Sequence, residues 1–190
     1  MKELITSNFT QSIEIKQKAL EENLDKIAQV AQLIIDALKQ GNKVLFFGNG
    51  GSAADAQHVA AEFIGRFQKE RQALGAIALT TDTSILTALS NDYSFDLVFA
   101  RQIEGLGKKG DVAFGISTSG NSGNVIEGIK KAKELGIHTV TLTGKDGGKL
   151  GPLADINLNV SSDSTARIQE SHLCIEHTIC ELVENALSEG

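Results

Sequence analysis

Cysteine is scarce in this 190-residue chain, which has only Cys174 and Cys180. They stand six apart in a segment patterned as helix, so their side chains point in different directions and cannot pair with each other. A disulfide scaffold is excluded, and two free thiols fit a reducing cytoplasm. Long apolar runs are also missing. Lys2 and Glu3 interrupt the amino-terminal segment, and nothing after them is long enough for a signal peptide or a membrane span. The expectation is a cytoplasmic protein with no membrane partner. No long Lys/Arg block occurs and the formal net charge is -6, so a groove that tracks nucleic-acid phosphates is not expected. Internal repeats and low-complexity tracts are absent. What is present is 41% hydrophobic residues, enough for one substantial core, in a length with no room for a second full domain and linker.

Residues 3–40 contain neither Gly nor Pro, and Leu20, Leu24, Ile27, Val30, Ala31, Ile34 and Leu38 recur at helical spacing. Two amphipathic helices broken near Glu22 and Asn23 are expected. Gly41 ends that pattern, and Val44-Leu45-Phe46-Phe47 reads as a buried strand followed by a helix from about Ser52. Further strands are expected at 76–79, 112–116, 139–142 and 156–160, with helices at 84–90, 95–105, 124–135 and 166–187. Continuous apolar strands between helices imply an α/β fold: a parallel sheet covered on both faces, with ligands outside the carboxyl ends of the strands. Residues 144–151 are glycine-rich and read as a loop between strands. Lys130, Lys131 and Lys133 read as the solvated face of a helix.

Two turns sit where that rule directs attention. Gly48-Asn49-Gly50-Gly51-Ser52 leaves a buried strand and opens a helix. Glycine lets a ligand approach the backbone, and the free amides of a helix start favour an anion. Ser117-Thr118-Ser119-Gly120-Asn121-Ser122-Gly123 occupies the same kind of position, with four hydroxyls that can each donate to a phosphate oxygen without adding charge. Either turn alone has a plainer reading, as a tight connection or a serine helix cap. Two at one sheet edge favour phosphosugar binding. Gly48, Gly50 and Ala53 also satisfy the dinucleotide fingerprint. A dehydrogenase ranks lower, because the expected acidic residue about 20 positions on has no clean candidate and the serine turn would go unused.

His58 and Glu62 lie four apart, on one face of the helix that starts at the first turn. Such a pair suits a divalent ion such as zinc, or proton transfer, and also a plain surface contact. The last helix offers Gln169, His172, Glu176 and His177, and periodicity does not choose between the two histidines. Gln169 and His177 are eight residues apart, about 12 Å along a helix, which is long for two ligands of one ion. Either Gln169 sits at a frayed or bent helix start, or the ligands come from neighbouring subunits.

Gly48-Asn49-Gly50-Gly51-Ser52, His58-Val59-Ala60-Ala61-Glu62, Ser90-Asn91-Asp92, the turn 117–122 and Thr165-Ala166-Arg167-Ile168-Gln169-Glu170 together resemble the phosphoheptose isomerases, enzymes of the sugar isomerase (SIS) family. The resemblance spans nearly the whole chain. It implies one SIS domain over residues 1–190: a doubly wound, flavodoxin-like, five-stranded parallel sheet with an amino-terminal helical extension, residues 1–40, that contributes to oligomerisation. It implies conversion of sedoheptulose 7-phosphate to D-glycero-D-manno-heptose 7-phosphate, early in the supply of heptose for lipopolysaccharide core or related surface glycans. It further implies a homotetramer with active sites between subunits and one zinc ion per subunit. The zinc ligands it implies are His58, Glu62, Gln169 and His177, which selects His177 over His172. Substrate contacts fall on Asn49, Gly50, Gly51, Ser52, Glu62, Asn91, Asp92, Ser117, Thr118, Ser119, Ser122 and Gln169. Asp92 also reads as a turn residue, and Arg66 as a surface arginine.

Aldose-ketose exchange moves a proton between C1 and C2 through an enediol-like species, so a base, an acid and oxyanion stabilisation are required. Glu62 and His177 are the catalytic candidates. Glu62 is expected to keep one oxygen free for proton transfer while an ion holds the substrate oxygens. The competing class is a non-catalytic SIS regulator that binds a sugar phosphate or a replication-initiation protein. Such a module needs the fold but no acid/base pair.

Overall fold

The central strand shows why the sheet needs two covers. In the computed structural model, which describes residues 1–188, β1 (Val44–Gly48) is buried at every position. Successive side chains of a strand face opposite ways. Val44 and Phe46 accordingly join one apolar cluster, and Leu45 and Phe47 the other. α1 (Lys2–Lys39), α2 (Gly51–Ile64) and α6 (Thr165–Leu187) cover the first face, and α4 (Val98–Leu106) and α5 (Gly123–Glu134) the second. With β2 (Ala76–Ala78), β3 (Val112–Ser117), β4 (His138–Gly144) and β5 (Ile156–Val160), the strands pair in parallel in the order β2-β1-β3-β4-β5. The doubly wound, five-stranded α/β sheet expected from the sequence is present, and its winding reverses between β1 and β3. No helix among the described residues is long and apolar enough to cross a membrane.

The smaller helices differ only at their ends. α3 (Thr83–Asp92) is capped by Asp82, whose carboxylate accepts from Ile85 N at 2.9 Å, and none of its residues is buried. The helix expected from residue 95 begins as a 3-10 turn, Phe95–Leu97, before α4.

The amino-terminal segment is a correction: α1 is one unbroken 38-residue helix, not two. Periodicity reads Asn23 as a break because it is polar on the apolar face. In the fold Asn23 is 1% exposed, and its Nδ2 donates to Ala19 O and Asn159 O, both at 2.9 Å. Asn159 N donates back to Asn23 Oδ1 at 3.1 Å. Ser161 Oγ donates to Glu22 at 2.9 Å, and Lys26 Nζ donates to Asn157 O at 3.2 Å. These bonds lay α1 along the outer edge of β5, where unpaired backbone groups would otherwise invite another strand.

Asn23→Ala removes this staple and leaves both backbone groups of Asn159 without their α1 partner. The unfolding free energy should fall by about 2 kcal/mol, read as a lower urea midpoint at unchanged slope. An unchanged midpoint would mean that the staple contributes nothing.

Candidate active site

β1 and β3 are neighbours, with Gly48 paired opposite Ile116, so the turns that leave them emerge side by side. Gly48 must be glycine: a Cβ there would lie 2.8 Å from Ile116 O and 2.9 Å from Ser52 Cβ. Gly50 has φ +57 and stands as N-cap of α2 without any side-chain cap bond. Ala53 N and Ala54 N both return to Gly50 O, at 3.1 and 3.2 Å. The amides ahead of them are the free donors of a helix start, where the dipole favours an anion.

In the second turn, Ser117 Oγ lies 2.9 Å from Ser122 Oγ and 3.5 Å from Ser119 Oγ. Ser119 Oγ accepts from Asn121 N at 3.1 Å. Ser122 is the N-cap of α5 but makes no capping bond, so its hydroxyl belongs to the serine cluster and helix capping does not explain it. Thr118 is half-buried in the same turn.

Two supports for these turns escaped the sequence reading. Asn124, in the first turn of α5, exchanges reciprocal amide bonds with Asn49, each 2.8 Å. The Asn49 amide therefore ties the two turns together. The glycine-rich loop after β4 does more than connect strands: Leu150 N donates to Gly120 O at 2.9 Å, and Lys149 N donates to Asn121 Oδ1 at 3.2 Å. A Cβ on Gly148 would lie 2.5 Å from Gly120 O. Glycine is what lets this loop press against the serine turn.

His58 and Glu62 on α2 meet His177 on α6. The Nε2 atoms of the two histidines are 2.9 Å apart, and His58 Nε2 is 3.3 Å from Glu62 Oε1. One ligating atom from each of the three lies within 4.8 Å of the others. The histidine rings are 5.0 Å apart between centroids, and the Phe67 ring lies 5.5 Å from that of His177. The cluster is open, with the His58 side chain 47% and that of Glu62 24% exposed. Two imidazoles and a carboxylate in reach of water can hold a metal with a vacant position or move protons.

His172 is a core histidine. It is fully buried, with Nε2 2.9 Å from Thr143 O, and burial lowers its pKa to about 4 against the opposing pull of that carbonyl. Gln169 stands apart from the cluster. A Cβ on Gly51 would collide with its Nε2, so it closes on the glycine turn after β1, about 12 Å along α6 from His177. α6 is continuous from Thr165, which places Gln169 inside the helix and not at a frayed start. Asn91 and Asp92 end α3, exposed, with Asn91 Nδ2 donating to Asp92 Oδ1 at 2.8 Å. No hydrogen bond among the described residues links them to the turns or the cluster. Arg66 is exposed and faces Glu70 at 3.9 Å.

Two acids lie beside the cluster: Asp55, which the sequence reading passed over, and Glu176, which it offered without a role. Burial pushes the Asp55 carboxyl up, while His58 and His177 draw it down. Glu176 is 1% exposed, and burial, then Asp55, push it to about 8. Its spacing of seven from Gln169 and its place beside His177 were visible, but nothing marked it as buried.

A doubly wound sheet with glycine and hydroxyl turns at its switch point defines a class. The model described as SIS domain matches residues 8–144, and the chain belongs to the SIS-domain family. Within it the chain is similar to phosphoheptose isomerases. That of Aquifex aeolicus (strain VF5) is 56% identical over 189 residues, covering 100% of this chain and 99% of the relative. That of Aliarcobacter butzleri (strain RM4018) is 53% identical over 188 residues, 99% of this chain and 100% of the relative. The solved phosphoheptose isomerase of Neisseria gonorrhoeae superimposes with TM-score 0.92 at 48% identity, over 97% of this chain and 98% of that one.

His172 yields a test of burial. Its folded pKa lies below its unfolded value, so between about pH 6.5 and 4 the unfolded chain binds the extra proton and stability falls as pH falls. Between pH 7 and 4.5, His172→Gln should lose less stability than the unaltered protein, by on the order of 2 kcal/mol. Parallel pH dependence of the two in urea melts would contradict this.

Proposed function

We propose that this protein isomerises sedoheptulose 7-phosphate to D-glycero-D-manno-heptose 7-phosphate in the cytoplasm, as the first step toward ADP-heptose precursors of lipopolysaccharide core or related surface glycans. The observation that carries the reading is the cluster of His58, Glu62 and His177 on the helices that also border the first phosphate turn. A regulator that only binds sugar phosphates would need the turns but not this cluster. The similarity to phosphoheptose isomerases over the full chain adds independent support.

In this reading Gly50, Gly51, Ser52, Ser117, Thr118, Ser119 and Ser122 hold the phosphate end through backbone amides and hydroxyls. Asn49, Asn91, Asp92 and Gln169 serve the sugar. Glu62 takes the proton from C1 of the ketose and returns it to C2. His177 accepts the proton of the C1 hydroxyl and gives one to the oxygen on C2, so the atoms balance. The donor set fits zinc, which prefers imidazole and carboxylate ligands and keeps an open position at catalytic sites. His58, Glu62 and His177 would hold it with Gln169 as fourth ligand, one ion per subunit. When bound, the ion would polarise the substrate oxygens as a Lewis acid.

Gln169 belongs with the turns and not with the cluster of its own chain, which favours sites built between subunits of a homotetramer. The occupant of the apolar surface on α1 is then a second copy of this chain. Leu4, Ile5, Phe9, Ile13, Leu20 and Leu24 are each more than half exposed, apolar surface of the kind that marks an interaction site. Leu20 and Leu24 also border a groove of about 350 Å³ between α1 and α6, closed by Ile27, Ile175 and Leu182.

Incubation with sedoheptulose 7-phosphate, followed by NMR, should show the aldose product, lost on chelation and restored by zinc. Glu62→Gln should lower kcat by about 10²-fold or more. Near-normal turnover of that variant with zinc fully bound would exclude Glu62 as the base.

A further inference from the structure

Below the cluster lies a buried ion pair with no part in the chemistry described so far. The side chains of Arg71 and Glu184 are 4% and 2% exposed, with Arg71 Nε 3.1 Å from Glu184 Oε1. Each is also held by backbone groups. Glu184 accepts from Phe67 N at 2.8 Å, Gln68 N at 2.6 Å and Lys69 N at 2.8 Å. Arg71 donates to Glu62 O at 2.8 Å and Phe63 O at 2.9 Å, and to Gly65 O and Gln72 O at 3.4 and 3.0 Å. The last turn of α2 carries no basic residue. Arg71 therefore supplies the positive charge that its terminal carbonyls favour, from the chain that follows.

Resting on the isomerase reading, we propose that Glu184 and Arg71 are positioning residues, clamping residues 65–72 so that Phe67 holds the His177 ring and Glu62 keeps its place at the end of α2. The path is short. The amide that Glu184 fixes belongs to Phe67, whose ring sits 5.5 Å from that of His177, tilted by 42°. The carbonyl that Arg71 fixes belongs to Glu62. His177 also meets His58, so its ring packs with two aromatic neighbours, and Phe67 is the one that the clamp fixes. A buried pair held this closely by backbone groups is rigid, whereas removal of one member leaves an uncompensated charge. Displacements of about 1 Å in a reacting group can cost 10²-fold in rate, so the effect belongs in kcat. The phosphate turns lie at the other end of α2, so KM should hold.

The test compares Phe67→Leu, Glu184→Gln and the unaltered protein, each with ring-labelled histidine. Arg71→Lys keeps the charge but loses the planar fork; it is read identically and replaces Glu184→Gln should that variant not fold. Expected are a kcat about tenfold lower with KM for sedoheptulose 7-phosphate within twofold, and, in metal-free protein, a His177 ring signal moved in Glu184→Gln toward its position in Phe67→Leu. The proposal is overturned if Phe67→Leu keeps kcat within twofold, if KM carries the loss, or if the clamp variant leaves the His177 signal unmoved. No turnover by the unaltered protein would sink the isomerase reading, while the ring signal would still decide whether the clamp sets His177.

Discussion

The packing of α2 against α6 is the constraint on which the rest of this structure depends. The two helices run in the same direction and meet at three levels. At the top Gly51 has no side chain, and Gln169 fills the space. In the middle His58 meets His177. At the bottom Glu184 and Arg71 bind the chain just beyond α2. Buried Ala56 and Ala60 leave room for Ile175 and Ile179 in the same core. Slipping α6 by one turn would separate the histidines and drive Gln169 off the phosphate turn together. The seam also carries a local cost: Glu176 is buried there without a hydrogen-bond partner among the described residues. Its raised pKa means that the acid is buried neutral, far less costly than a buried carboxylate.

The sheet aims this seam. Because its winding reverses between β1 and β3, the turns after those strands open to the same space, and α2 leads directly from one of them to the cluster. Asn49 and Asn124 bridge the turns, and the loop after β4 braces the serine turn from outside. One helix thus carries the glycine turn at its start, with Gly51, and Glu62 in its last turn.

What the sequence disclosed follows from what local patterns encode. Alternating apolar strands and helices specify a covered parallel sheet, and glycine and serine clusters at strand ends specify the turns. His58 and Glu62 share a helix face by spacing alone. His172 and His177 could not be separated that way, because both fit an amphipathic helix; only the meeting of α2 and α6 buries one and offers the other to His58. Asn23 misled for a related reason, since a polar residue on an apolar stripe looks like an interruption until β5 supplies its partner. Asn124, Arg71 and Glu184 act through contacts distant in the chain, and no local pattern announces such bonds.

The central claim is that Gln169 and the phosphate turns of one chain work with the His58, Glu62 and His177 cluster of another. Complementation between two inactive variants tests it most directly. Gln169→Ala and His58→Ala chains, each carrying a different tag, are co-expressed, and mixed assemblies are purified through both tags. If sites form between subunits, activity should return to about a quarter of that of the unaltered protein, because one site in four then pairs two intact halves in a randomly mixed symmetric assembly. If every site lies within one chain, each remains defective, and mixed assemblies as inactive as either parent would contradict the account.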